Sequence, residues 1–319
     1  MMGLSLDKYI DFLEKQNRNW PKAPPRKPVK AKPMLRVLPG IRAVCWENYG
    51  TLIRIADGEL GHRTIHPMPL QVALGKTIQQ YNMWNSMVRK PGEPWEVLLP
   101  QYEKLLEEQQ MMGVRKGDVP ETDSAVVWKK ILERLVERDY QYDVRLMGEL
   151  DEFSEKVAYF FHACLQGVEA ESEASDIIES IHNAGMPQGL ADNGQKFTFA
   201  QTLRQFRRQG RLNSPEKVLS RSLSVFSIDL GIRATSANFF KQVAERFSNA
   251  GISPHEVVYI GSKLQDRLAL ARQTGFRTVL YAGDVGSLQA TNEGLRDPQT
   301  KPDCLITDLI QMKQVLGLN

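Results

Sequence analysis

The stretch Arg42-Ala43-Val44-Cys45-Trp46-Glu47-Asn48-Tyr49-Gly50-Thr51-Leu52 decides the fold. Its apolar residues read as a short strand buried on both faces, which delivers one carboxylate, Glu47, to a tight Gly50-Thr51 turn. Open α/β sheets carry their chemistry in the loops beyond the carboxyl ends of such strands. Glu47 is therefore the first candidate functional residue.

Downstream of Gly185 the chain repeats that rhythm of strand, turn and helix. Strands are expected at 187–191, ending at Asp192-Asn193-Gly194, and at 223–228, ending near Asp229-Leu230-Gly231. Three more are expected at 257–260, running into Gly261-Ser262, at 278–281 and at 304–306. Alternation with helices implies right-handed crossovers and a parallel sheet covered on both faces. Between the first strand and this series, residues 70–90, 95–112, 124–139 and 145–166 space their apolar residues by three and four. They read as an inserted helical bundle with Trp84, Trp95 and Trp128 in its core. The acidic run 169–173 marks its end, and Ser175 and Asp176 open a helix over 175–184.

Bulk properties narrow the function classes. The 319 residues are 42% apolar and 25% charged, ordinary for a globular protein. No apolar run approaches the roughly 20 residues of a membrane span, and no apolar signal core opens the chain. Cys45, Cys164 and Cys304 are scattered, without metal-ligand spacing, and read as reduced buried thiols of a cytoplasmic protein. The net charge of +3 hides an asymmetry: residues 1–40 carry nine Lys or Arg against three acids, leaving about −3 for the rest. A nucleic-acid partner is poorly supported, because the basic character belongs to a tail.

That tail starts with a segment of helical spacing (Leu4, Tyr9, Ile10, Phe12, Leu13), then PKAPPRKPVKAKP at 21–33. Five prolines there forbid helix and favour an extended, solvated tether. The helix is a candidate for docking on this protein's own body, on a second copy or on a protein partner, ahead of a membrane surface.

The segment 42–52 resembles the first motif of the haloacid dehalogenase-like (HAD) hydrolases, a strand leading into Asp-x-Asp-Gly-Thr or Asp-x-Tyr-Gly-Thr-Leu. Residues 182–194 resemble the lead into the second motif, 225–240 the third, 252–281 the fourth, and 302–316 the closing strand and helix. The resemblance implies an α/β fold, a Rossmann-like parallel sheet with an inserted helical cap domain. It places the core at 41–58 and 168–319, the cap at 59–167, and an N-terminal helix and basic Pro-rich linker at 1–40. In the family an Asp nucleophile forms a covalent intermediate. In its phosphatases Mg²⁺ offsets charge repulsion, while a second-motif hydroxyl and a third-motif Lys hold the anion. Tyr49 is similar to the dehalogenase-type branch.

The departures from the pattern bear on the chemistry. Glu47 stands for the Asp, advancing the carboxylate by roughly 1.5 Å, and a misplacement of about 1 Å costs about a hundredfold in rate. Asp192 stands for Ser or Thr, Ala234 for Lys, and Ser262 for the first acid of the fourth motif, leaving Asp266 as the surviving metal-side carboxylate. The resemblance carries over a catalytic set of Glu47, Tyr49, Asp192 and Asp266. It carries over a substrate-binding set of Thr51, Asn193, Gly194 and Lys263, and Glu47 with Asp266 as ligands for Mg²⁺, the one cofactor it suggests. Glu47, Asp192, Ala234 and Asp266 should meet at one edge of the sheet. Lys263 and Lys196 are either substitute cations or, more commonly for such positions, solvated lysines. His62 and His66, in the cap hinge, are more often structural. No Ser-His-Asp order, Cys-His pair or Gly-rich nucleotide fingerprint appears elsewhere. The function implied is a HAD-like protein with a degenerate site, lacking ordinary phosphatase or dehalogenase activity. It would act through binding or scaffolding, with a small-molecule ligand in the core–cap cleft. The alternatives are an active hydrolase using Glu47 on a non-standard small molecule, and a protein that works through its tail alone.

Overall fold

The structure, a computed structural model, describes residues 3–16, 18–88, 90–111, 113–212 and 214–318. Its strands are β1 (Ala43–Trp46), β2 (Ile53–Arg54), β3 (Glu169–Ala170), β4 (Gln188–Asp192), β5 (Val225–Phe226), β6 (Val257–Gly261), β7 (Arg277–Tyr281) and β8 (Cys304–Ile306). Six form one parallel sheet in the order β5-β4-β1-β6-β7-β8, and β2 pairs antiparallel with β3. β1 lies in the middle, with Cys45 opposite Gly189 on one side and Tyr259 on the other.

The pleat of β1 splits the core into two layers. Val44 and Trp46 share one apolar cluster with Ile177, Ile178 and Ile181 of the helix Ala174–Asn183. Ala43 and Cys45 share the other with Phe239, Phe240 and Val243 of the helix Phe239–Asn249. Both faces are covered, so the strands carry no alternation of apolar with polar residues. The strand expected at 223–228 shortens to two residues. Asp229 accepts a hydrogen bond from the Phe226 backbone N–H at 2.9 Å and draws the chain into the short helix Ser227–Leu230.

The ribbon of β2 and β3 forms the neck of the inserted helical unit. Its main helices are Pro67–Gln80, Pro94–Gln110, Ser124–Val136 and Leu150–Leu165. The first ends ten residues earlier than its apolar spacing suggests, because Asn82 adopts a left-handed conformation (φ 50°). Helix Leu150–Leu165 runs through the centre of the bundle. Phe161 meets Tyr102 and Trp128 at ring-centroid distances of 5.0 and 5.2 Å, and Trp84 and Trp95 pack at the margin of this core.

The N-terminal segment is not a solvated tether. Helix Leu6–Glu14 buries Tyr9, Ile10 and Leu13 in the cap core, and the Tyr9 and Tyr81 hydroxyls share a hydrogen bond of 2.9 Å. Self-docking therefore takes the face that a second copy or a protein partner would have used. From there the Pro-rich stretch runs as a strap to the far edge of the sheet. Arg26 donates to the Gly283 and Thr307 carbonyls and to Asp308. The Lys27 N–H donates to Asp284 Oδ1 and the Val285 N–H donates to the Lys27 carbonyl, each at 2.8 Å. Met34 pairs with Leu305 by two backbone hydrogen bonds, covering the edge strand β8. Prolines exclude helix, but an extended chain still finds partners for its remaining donors and acceptors.

Candidate functional site

β1 hands the chain to the turn 48–53, where Gly50 (φ +85°) adopts a conformation that L side chains rarely take. A Cβ on Gly50 would also meet Ser262 Oγ at 2.9 Å, so the turn packs tightly against the end of β6. This brings Glu47 and the segment 262–267 together.

Both carboxylate oxygens of Glu47 are occupied. Oε2 accepts from Thr51 Oγ1 at 3.0 Å, from the Ser262 backbone N–H at 2.6 Å and from Ser262 Oγ at 2.7 Å. Oε1 accepts from Lys263 Nζ at 2.9 Å. Lys263 Nζ also donates to the Gly58 carbonyl at 2.9 Å. Arg267 Nε lies 3.9 Å from Glu47 Oε1 and 3.9 Å from Asp192 Oδ1, while its terminal nitrogens reach Glu59 and the Asp266 carbonyl. Glu47, Lys263 and Arg267 are each 0% exposed, and Asp192 is 1% exposed. Two acids and two bases thus form one buried cluster.

The ionisation of the acids follows from that arrangement. Burial opposes the charge on Glu47, but Lys263 and then Arg267 outweigh it and hold the carboxyl below its ordinary range. Asp192 is pushed up to about 7, first by burial and then by the nearby Glu47 charge. Burial works against the Arg267 guanidinium, yet Asp192 and Glu47 keep it firmly charged. Asp192 also accepts from the Tyr49 N–H at 2.8 Å and the Asn193 N–H at 2.7 Å.

These directions set a pH dependence. Because the folded Asp192 carboxyl titrates higher than in the unfolded chain, the native state holds an extra proton between the ordinary carboxylate range and about pH 7. Stability should fall as pH rises through that window. Glu47 has the opposite sign: its contribution is present above the unfolded value and is lost as the pH falls through its lowered folded value. In urea unfolding of Asp192→Asn, the loss of stability between pH 5 and pH 8 should shrink by on the order of 3 kcal/mol relative to wild type. The variant forfeits one hydrogen bond at every pH, so the pH difference is the readout. Equal losses in both proteins would contradict the assignment.

Glu47, Tyr49, Thr51, Asp192, Asn193, Gly194, Ala234 and Lys263 all lie at the carboxyl ends of β1, β4, β5 and β6 or in the segments that follow them. Asn193 Oδ1 accepts from the Ala234 N–H at 2.8 Å, and the Gly194 N–H donates to Ser227 Oγ at 2.9 Å. Tyr49 donates to Gln201 Oε1 at 2.6 Å, which fixes its ring. Asp266 does not join them, and its expected place as the surviving carboxylate is corrected here. Residues Leu264–Leu268 form a wide π-type turn in which Asp266 is exposed and Arg267 buried. Lys263 is a fully buried cation instead of a solvated one. Lys196 reaches the cap at Glu155 (2.8 Å). His62 Nε2 sits 3.9 Å from Glu121 Oε1, and His66 is exposed. Arg267 and Glu59 were not singled out from the sequence. Arg267 follows Lys263 by four residues, and that spacing was the available signal.

Mg²⁺ does not fit this donor set. Every Glu47 oxygen is taken by protein donors, an ammonium stands against Oε1, and Asp266 lies outside. The cap also meets the core directly. The cap loop 117–121 and the core loop 231–237 exchange backbone hydrogen bonds: Glu121 N–H to Gly231 O, Arg233 N–H to Val119 O and Ala237 N–H to Gly117 O. Glu59 adds ion pairs to Arg233 and Arg267 at 3.2 Å each.

No protein-family model matches the chain, and no curated protein matches it in sequence. Solved structures do. A 2-haloacid dehalogenase from Pseudomonas syringae pv. Tomato DC3000 is 17% identical over 87% of this chain and 98% of its own, with a TM-score of 0.51. An HAD phosphatase from Thermococcus onnurineus is 15% identical over 87% of this chain and 98% of its own, with a TM-score of 0.43. The first likeness shows the fold: a HAD-like, Rossmann-type parallel sheet with a helical cap.

Proposed function

We infer that this HAD-fold protein is a pseudoenzyme, without ordinary phosphatase or dehalogenase activity, that works by binding. The core is taken as 41–58 and 168–319, and the cap as 59–167. One observation carries the reading: Glu47, at the nucleophile position, is fully buried with both oxygens engaged, and Lys263 is its counter-ion. An attacking carboxylate needs a free oxygen within about 3–3.5 Å of the electrophile, and this one is enclosed. The cations that could hold an anionic substrate, Lys263 and Arg267, are already committed to Glu47, Asp192 and Glu59. The three cysteines are free and buried, which supports a reducing, cytoplasmic setting. No helix among the described residues is long and apolar enough to cross a membrane.

Calorimetric titration of the full chain with Mg²⁺ and orthophosphate tests this reading. No saturable heat is expected from either. Saturable binding that disappears in Glu47→Gln would overturn it and return the active-hydrolase alternative.

A further inference from the structure

A cavity of about 770 Å³ lies away from the Glu47 cluster, between the strap, the neck and the cap helix Pro67–Gln80. It contains none of the residues read above as catalytic. Its floor is the end of helix Leu150–Leu165, where Gly167 lies so close to the backbone of Pro21 and Lys22 that any Cβ there would collide. A neighbouring cavity of about 410 Å³ shares Asn19, Trp20, Lys76 and Cys164 with it.

This groove joins two features. Its lip carries large apolar side chains left in water: Ile65 is 84% exposed, Met68 70% and Val72 45%. Around them stand three cations, Lys22, Arg63 and Lys76, against one acid, Asp57. Among the described residues Lys76 Nζ donates to the Asn19 carbonyl, at 3.4 Å, while Arg63 donates to the Glu103 carbonyl at 3.3 Å and pairs at 3.5 Å with the exposed Glu107. Two of these cations, Arg63 and Lys76, belong to residues 41–319, which are net negative as a whole. The volume falls within the range of small-ligand sites, roughly 300–1,000 Å³. Contiguous exposed apolar area rimmed by polar groups marks a binding surface.

We propose that this groove binds an anionic amphiphile, a molecule with an apolar chain and a terminal carboxylate such as a fatty-acid anion. The chain would lie along Ile65, Met68 and Val72 and the head group between Lys76 and Arg63. Trp20, in the wall, supplies an intrinsic fluorescence reporter. The proposal gives the binding role a ligand class and rests on that reading, but the two fail separately. Phosphoester turnover at Glu47 would remove the pseudoenzyme reading and leave the groove untouched.

The test uses the full chain titrated with decanoate and, in parallel, with 1-decanol, following tryptophan fluorescence and calorimetry. Decanoate should bind saturably, at least about tenfold more tightly than the alcohol. Val72→Asp and Lys76→Glu should each weaken decanoate binding by about tenfold or more. Both positions are solvent-facing, so unchanged thermal unfolding checks that the variants are folded. Lack of saturable decanoate binding, equal affinity for the alcohol, or indifference to both substitutions would overturn the proposal. So would two other results: a wild-type dimer that Val72→Asp converts to monomer, which would assign the face to a second copy, or binding to phosphatidylglycerol vesicles without binding of free decanoate.

Discussion

Lys263→Ala is expected to lower stability by about 3–5 kcal/mol, the usual cost of leaving one member of a buried ion pair without its partner. Burial opposes the charge on Glu47, and the substitution removes the group that most offsets it, leaving Arg267 Nε 3.9 Å away and no ammonium at Oε1. The Gly58 carbonyl would lose its 2.9 Å donor as well. Replacing both partners, as Glu47→Gln with Lys263→Met, removes the charges together and should recover most of the loss, since buried pairs exchange for uncharged side chains at small net cost. Urea unfolding of the two single variants and the double variant gives the coupling energy. A Lys263→Ala protein within about 1 kcal/mol of wild type would mean that the cluster is solvated and that Glu47 does not depend on its counter-ion.

The other large effect belongs to the N-terminal helix. Deleting residues 1–16 uncovers the part of the cap core that Tyr9, Ile10 and Leu13 fill. Each such side chain contributes about 1.5–3 kcal/mol when fully buried, so the loss should be on the order of 5 kcal/mol or more. It also leaves Arg204, buried beside Tyr159, without Glu14. The cap should unfold before the core, seen as an early transition and binding of an apolar dye. A truncated chain that unfolds in one step at the wild-type temperature would show that the helix is an appendage.

The two segments differ in how legible they were. β1, β4 and β6 are buried on both faces; β1 and β6 are uninterrupted apolar runs, β4 carries the buried Gln188, and the parallel sheet could be read directly. The two-residue β5 could not, because the side chain of Asp229, four residues after its start, ends it. The prolines at 21–33 excluded helix correctly, but composition is silent on whether an extended chain finds carbonyls such as Gly283 O and Thr307 O to bind. At the site, Glu47 and Asp192 were legible because they follow strands. Arg267 was not, because a charged residue in a helical stretch reads as solvent-facing. The π-type turn that buries it and exposes Asp266 leaves no mark in apolar spacing. Glu59 was invisible for a related reason: its role exists only once the neck folds it against Arg233 and Arg267.

The central claim is that Glu47 is the buried counter-ion of Lys263 and does not attack a substrate. Turnover by the purified full-length chain, measured against a broad set of phosphate monoesters and 2-haloacids with and without Mg²⁺, tests it most directly. Glu47→Gln serves as the comparison, since it keeps the shape and one acceptor oxygen, enough for Ser262 or Lys263 but not both. Wild type and Glu47→Gln should be indistinguishable from the reaction without protein. Wild-type turnover that vanishes in Glu47→Gln would contradict the claim and make Glu47 the nucleophile.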